Sequence, residues 1–220
     1  MSRLYLRILA ILPVALSLAC SVATATVAIP DPLVDAPLAS AKGEQTAVVA
    51  GGCFWGVDAV FKHVKGVIDV KSGYAGGAAN TAHYDMVSSG NTGHAESVRI
   101  KYDPSQISYG RLLKIFFSVA HDPTQLNRQG PDHGTQYRSA IFCSDEEQKR
   151  IAKAYIDQLN EAKVFGRPVV TEVAVGTPFY QAEAYHQDYF RTHQDNPYIV
   201  VNDVPKVDNL RKQFPDLYKK

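Results

Sequence analysis

Hydrophobic positions along the chain switch between two periods, and the switches mark its elements. A short apolar run, Thr46 to Ala50, predicts a buried strand, and beyond Gly51-Gly52 the spacing of Val57, Val60, Phe61 and Val64 is helical. Val67 to Gly73 predicts a strand, Tyr74 to His83 a long loop, and Asn91-Thr92-Gly93 a turn. Ala95 to Tyr102 alternates, with Glu96, Val98, Ile100 and Tyr102 on one face, and predicts a half-buried strand. Ser108 caps a helix carrying Leu112, Leu113, Phe116 and Phe117, which His121-Asp122-Pro123 stops. Thr124 to Gly134 is a long polar loop, and loops of that length in compact domains are functional or disordered. Thr135 to Cys143 returns to a strand. Ser144-Asp145-Glu146-Glu147 reads as a capping box for a helix with Ile151, Ala154, Tyr155 and Leu159, ended by Gly166 and Pro168. Val169 to Val175 predicts a strand, and Ala182 to His193 a last helix with Tyr185, His186, Tyr189 and Phe190. From Gln194 onward the chain is polar with prolines and reads as a tail draped over the surface.

The order is strand, helix, strand, strand, helix, strand, helix, strand, helix. It predicts an α+β fold: a sandwich with a mixed or antiparallel sheet, flanking helices and long loops. Residues 46–200 suit one compact domain, with 201–220 as the tail. Ahead of it, Arg3 and Arg7, the apolar run Ile8 to Ala19 and Ala23-Thr24-Ala25 read as a secretory signal over residues 1–25. That run falls short of the roughly 20 residues that span a bilayer. An alternative ends the signal at Cys20 as a lipoprotein. Thr26 to Gln45, rich in Ala, Pro and Asp, predicts a flexible linker. The protein is therefore expected to be exported, periplasmic or secreted, and monomeric. With 23 Lys and Arg against 22 Asp and Glu, the charge points to neither nucleic acid nor an anionic membrane.

Three cysteines occur, Cys20, Cys53 and Cys143. Two in a mature chain are too few for a disulfide framework. Cys53 lies between two glycines and two aromatics, at the predicted start of a helix. The free N–H groups and dipole there favour a thiolate. A buried, inert thiol is the competing reading. Glu96 shares an apolar face, which would raise its pKa. His94-Ala95-Glu96 has the H-x-E form of zinc deaminases, but the second half of that zinc set is missing. A cysteine peptidase would pair Cys53 with His186 and Asn196, but the local signatures of papain and caspase types are absent.

The motifs then accumulate in order: Gly52-Cys53-Phe54-Trp55-Gly56, Ser72 through Gly77, Thr92-Gly93-His94-Ala95-Glu96, Tyr102-Asp103-Pro104, Asp122-Pro123-Thr124, Asp132 through Ser139, and Tyr185-His186-Gln187. Across residues 46 to 195 the chain resembles the A-type peptide methionine sulfoxide reductases. The resemblance implies a two-layer fold with a ferredoxin-like core. It implies Cys53 as nucleophile, Phe54 and Trp55 as walls for the substrate methyl group, and Glu96 as the acid on the sulfoxide oxygen. Tyr84 and Tyr137 would be donors to that oxygen, with Asp132 and His186 as positioning partners. It implies no cofactor or metal. The expected partners are oxidised proteins or peptides and an external thiol reductant, thioredoxin-like or small. A non-catalytic module binding oxidised methionine in the same pocket is the alternative.

Two departures from the family stand out. Many members carry resolving cysteines in the C-terminal tail, and none occurs here between Gln194 and Lys220. Pro131 stands where the family often has Asn. Cys143 lies six residues beyond Tyr137 on one predicted strand, roughly 20 Å away at ~3.3 Å per residue. A disulfide needs Cα atoms within about 7 Å, so Cys143 is expected to be an inert core thiol.

Overall fold

A computed structural model describes residues 29–220; the expected signal and Cys20 lie outside the described residues. The strands are β1 (Gln45–Gly51), β2 (Val67–Ala75), β3 (Ala95–Tyr102), β4 (Arg128–Gln129), β5 (Asp132–His133), β6 (Ser139–Cys143), β7 (Glu172–Val175) and β8 (Phe179–Gln181). The α-helices are α1 (Phe54–Lys62), α2 (Tyr84–Val87), α3 (Tyr109–Ile115), α4 (Glu146–Glu161), α5 (Tyr189–Thr192) and α6 (Val204–Gln213). Six strands form one sheet in the order β7-β6-β1-β3-β2-β8. Only the β6–β7 pair is parallel, so the sheet is mixed and the class is α+β, as the element order predicted.

Period-two burial sets the faces. Ala47 and Val49 of β1, Val98 and Ile100 of β3 and Ile141 of β6 share one core with Val57, Val60 and Phe61 of α1 and Leu112 and Leu113 of α3. The opposite face holds a smaller cluster of Ala50, Ala75, Ala95, Ala140 and Phe142. Hence β3 is buried on both faces along its first half, where alternation predicted one open side: Ala95 and Ser97 are buried as fully as Glu96 and Val98. α3 starts as expected, with Ser108 accepting from the Arg111 N–H. α4 is capped one residue later than predicted, by Asp145, which accepts from the Gln148 N–H at 2.8 Å.

Five expectations need correction. The predicted loop before His83 continues into α2, and the loop Thr124 to Gly134 contains the β4–β5 hairpin. The predicted helix Ala182 to His193 is broken: a 3-10 turn at Ala184–His186 is separated from α5 by Asp188, whose positive φ of 56° ends helical geometry. The presumed linker is strapped to the domain from Ile29 onward. Pro30 accepts from the Tyr155 hydroxyl, Asp31 pairs with Lys114 and Arg111, and Asp35 binds Ser108 and the Gly110 N–H at the start of α3. The presumed surface tail instead forms a π-helical turn, Ile199–Asp203, and then α6, with Ile199, Asp203 and Leu210 fully buried. Among the described residues no helix is long and apolar enough to cross a membrane.

Candidate active site

β1 ends at Gly51 and the chain turns through Gly52 at φ +88°, a conformation that glycine adopts without strain. The Gln129 side chain lies directly over Gly52, where a Cβ would approach it to 2.5 Å. This turn delivers Cys53 to the N-cap position of α1 with its side chain 7% exposed. The dipole alone predicts a lowered thiol pKa, and the structure reverses that. Burial pushes the Cys53 thiol well up, and the nearby carboxyls of Glu96 and Asp203 add to it, while the Trp55 N–H and Lys206 pull it down.

Glu96 reaches the same turn from the neighbouring part of the sheet. β1 pairs with β3, and the side chain of Glu96 points to the α1 face, where its Oε2 accepts from the Phe54 N–H at 3.1 Å. Burial raises its pKa to about 8, against the opposing pull of the Phe54 N–H. The sequence-level reading of Glu96 as an acid on an apolar face therefore matches its environment. One proton shared between this acid and the Cys53 thiol can move to give a thiolate beside a neutral carboxylic acid.

The aromatic residues close around this pair. Phe54 packs on Tyr74 and on the His186 ring, at centroid distances of 5.9 and 5.0 Å. The Trp55 indole N–H donates to His186 Nδ1 at 3.2 Å, which leaves the ring proton on Nε2. That Nε2 is buried without a partner among the described residues, and burial keeps the ring pKa low, so the imidazole is neutral. Tyr84 leans on His186 at 4.4 Å. Burial raises the Tyr84 hydroxyl to about 12 and the Tyr137 hydroxyl higher still, and both feel the charges of Glu96 and Cys53. Asp132, on the β4–β5 hairpin, accepts from the Tyr198 hydroxyl. The eight residues singled out in the sequence thus come to one place.

His94, the other candidate ligand, does not join them. Its Nδ1 accepts from the Gly77 N–H and its Nε2 faces the Ala78 carbonyl, so it holds the turn after β2.

Other contributors were missed. Glu183 accepts from the Tyr74 hydroxyl at 2.8 Å and from the Tyr84 N–H at 2.9 Å, and so seats α2 at the site. Tyr189 stacks on Trp55, and Tyr198 meets its edge. Asp203 and Lys206 come in from the tail. An Asp followed by Pro205 and a Val207, Leu210, Phe214 spacing is a legible helix start, and could have revealed α6.

A model of the peptide methionine sulfoxide reductase family matches residues 45–218. The chain belongs to this family. The match runs through α6, so the family domain extends past the predicted boundary at 200. Peptide methionine sulfoxide reductase MsrA 2 of Mesorhizobium japonicum is 59% identical over 179 residues, covering 81% of this chain and 92% of that protein. MsrA of Deinococcus radiodurans is 48% identical, covering 79% of this chain and 84% of that one. Among solved structures, reduced Mxr1 from Saccharomyces cerevisiae superposes with a TM-score of 0.62 at 32% identity, covering 74% of this chain and 92% of that one. Methionine sulfoxide reductase A of Corynebacterium diphtheriae gives a TM-score of 0.59 at 32% identity, covering 70% and 77%.

Proposed function

We propose that the protein reduces methionine-S-sulfoxide in oxidised proteins and peptides to methionine, with Cys53 as nucleophile. The observation that carries this is a buried carboxyl, Glu96, bonded to the Phe54 N–H at the start of α1 beside Cys53, where burial pushes its pKa up to about 8. A sulfoxide is a poor electrophile until its oxygen gains a proton, and a carboxylic acid kept neutral near pH 7 can supply one. The Cys53 thiolate attacks while Glu96 protonates the oxygen. The substrate sulfur gains the electron pair and leaves as the thioether, and the oxygen ends on Cys53 as a sulfenic acid. Tyr84 and Tyr137 donate to the oxygen as charge develops on it. Phe54 and Trp55 enclose the methyl group, and Asp132 and His186 hold the surrounding rings. Two external thiols, RSH, then return Cys53–SOH to Cys53–SH, giving RSSR and water.

The strand order β6-β1-β3-β2 with α1 and α3 as crossovers supports reading the central unit as a ferredoxin-like core. The pattern of residues 1–25 supports export of the enzyme to the periplasm or exterior. Turnover of a methyl sulfoxide peptide with dithiothreitol tests the function. Catalytic release of methionine is expected, and binding without turnover would leave a recognition module instead.

A further inference from the structure

Asp203 occupies the N-cap position of α6 but does not cap it. An aspartate there ordinarily accepts from a backbone N–H two or three residues on. Here Oδ1 accepts from Lys206 Nζ at 3.1 Å, and Oδ2 is buried with no partner among the described residues. The carboxylate is turned onto α1 instead. A Cβ added at Gly56 would lie 2.1 Å from Asp203 Oδ1 and 2.6 Å from Lys206 Nζ, so the pair nests against bare backbone. Gly56 follows Cys53 by three residues, and residues so spaced share one helix face. The tail therefore seats a carboxylate and an ammonium one turn below the nucleophile. Asp203 is fully buried and Lys206 half-buried, and an ion pair with one partner fully desolvated is a poor source of stability.

We propose that Lys206, held at the first turn of α1 by Asp203, is the cation that stabilises the Cys53 thiolate. The proposal rests on the reductase reading of the site and adds a positioning pair supplied by the tail. The charges that bear on Cys53 are the carboxyls of Glu96 from β3 and Asp203 from the C-terminal segment, which work against a thiolate, and the ammonium of Lys206, which works for it, while the hydroxyls of Tyr84, Tyr137 and Tyr198 feel the charge of Cys53. Lys206 is the cation of that set. His121, hydrogen-bonded to Ser139 at 2.7 Å beside the end of β1, is kept neutral by burial, with a pKa of about 3.

A thiolate on Cys53 forms twice in the cycle. It attacks the sulfoxide, and it departs when a second thiolate, R′S⁻, attacks the outer sulfur of the mixed disulfide Cys53–S–S–R. In that step the R′S–SR bond forms, the Cys53–S bond to the outer sulfur breaks, and its electron pair stays on Cys53. A thiol of lower pKa leaves faster, so Lys206 serves recycling by external thiols as well as attack.

The test is the pH dependence of Cys53 alkylation by iodoacetamide, mapped by peptide mass on the folded full chain without any sulfoxide. K206M should move the midpoint up by a unit or more, a roughly tenfold loss of thiolate at pH 7. D203N removes the carboxylate and keeps the ammonium, and should move the midpoint down. K206R should restore the wild-type profile. Wild-type midpoints in both K206M and D203N, or shifts of both in one direction, would overturn the proposal. Should K206M fail to fold, as judged by near-UV circular dichroism, K206Q takes its place with the same upward shift expected, and a wild-type midpoint in K206Q overturns the proposal. These shifts in the variants, together with no sulfoxide turnover by the wild-type chain, would sink the reductase reading and leave the charge pair standing.

Discussion

Trp55 and Tyr189 lie face to face, their ring centroids 3.7 Å apart and their planes 7° from parallel. Tyr189 stacks in turn on His193 at 3.8 Å. The indole is therefore held on one face by Tyr189, at its N–H by His186, and at an edge by Tyr198. A wall so fixed needs little ordering when a substrate methyl group arrives.

Removing Tyr189 should loosen that wall without touching the reacting atoms. An aromatic pair contributes about 0.5–1.5 kcal/mol beyond area burial, so Tyr189→Ala should raise KM for a methyl sulfoxide roughly two- to tenfold and change kcat less. Trp55→Ala, which deletes the wall itself, should raise it more. Steady-state kinetics on both variants checks the order. Equal KM values in wild type and Trp55→Ala would make Trp55 a core residue only.

Glu96 makes rate and stability fall together as pH rises. Its acid form falls away as pH rises past about 8, so the first-step rate should decline there. Glu96→Gln should cost roughly 10²-fold or more in single-turnover methionine release, with a smaller loss at low pH. The folded-state pKa lies above the unfolded one, so the stability this proton contributes is complete below about pH 4 and lost as pH rises through 8. Glu96→Gln should then melt higher than wild type at pH 8.5 while working worse. A lower melting temperature there would contradict the assignment of a desolvated acid.

Cys143 should be irrelevant to turnover. It ends β6, buried in the core, with its sulfur 3.9 Å from the Tyr109 hydroxyl. Phe142 lies opposite Val48, and Cys53 is five residues further along from there, well beyond disulfide reach. Cys143→Ser should keep wild-type kcat with dithiothreitol. After one equivalent of sulfoxide and no reductant, dimedone should label Cys53. A Cys53–Cys143 bridge in good yield would overturn external recycling.

The pattern of the chain disclosed the sheet class and the register that puts Glu96 on the helix face, because strand alternation and helical spacing are local. Ser108 was legible for the same reason. What escaped depends on distant partners. Asp31 and Asp35 look like linker residues until α3 presents Arg111, Lys114 and two donors to them. The break at Asp188 was hidden because its carboxylate is tied to Lys62 of α1 across the fold. Cys53 was misjudged in sign, since a dipole can be read from sequence whereas the burial that outweighs it cannot.

The bond between Tyr198 and Asp132 joins the last third of the site to its middle, and Asp203 and Lys206 arrive later still. No single stretch of the chain builds this pocket: the nucleophile comes from one segment, the acid from a second, and the rings and charges that close around them from segments far along the sequence. The surroundings of Cys53 are therefore assembled only when distant parts of the chain have packed together.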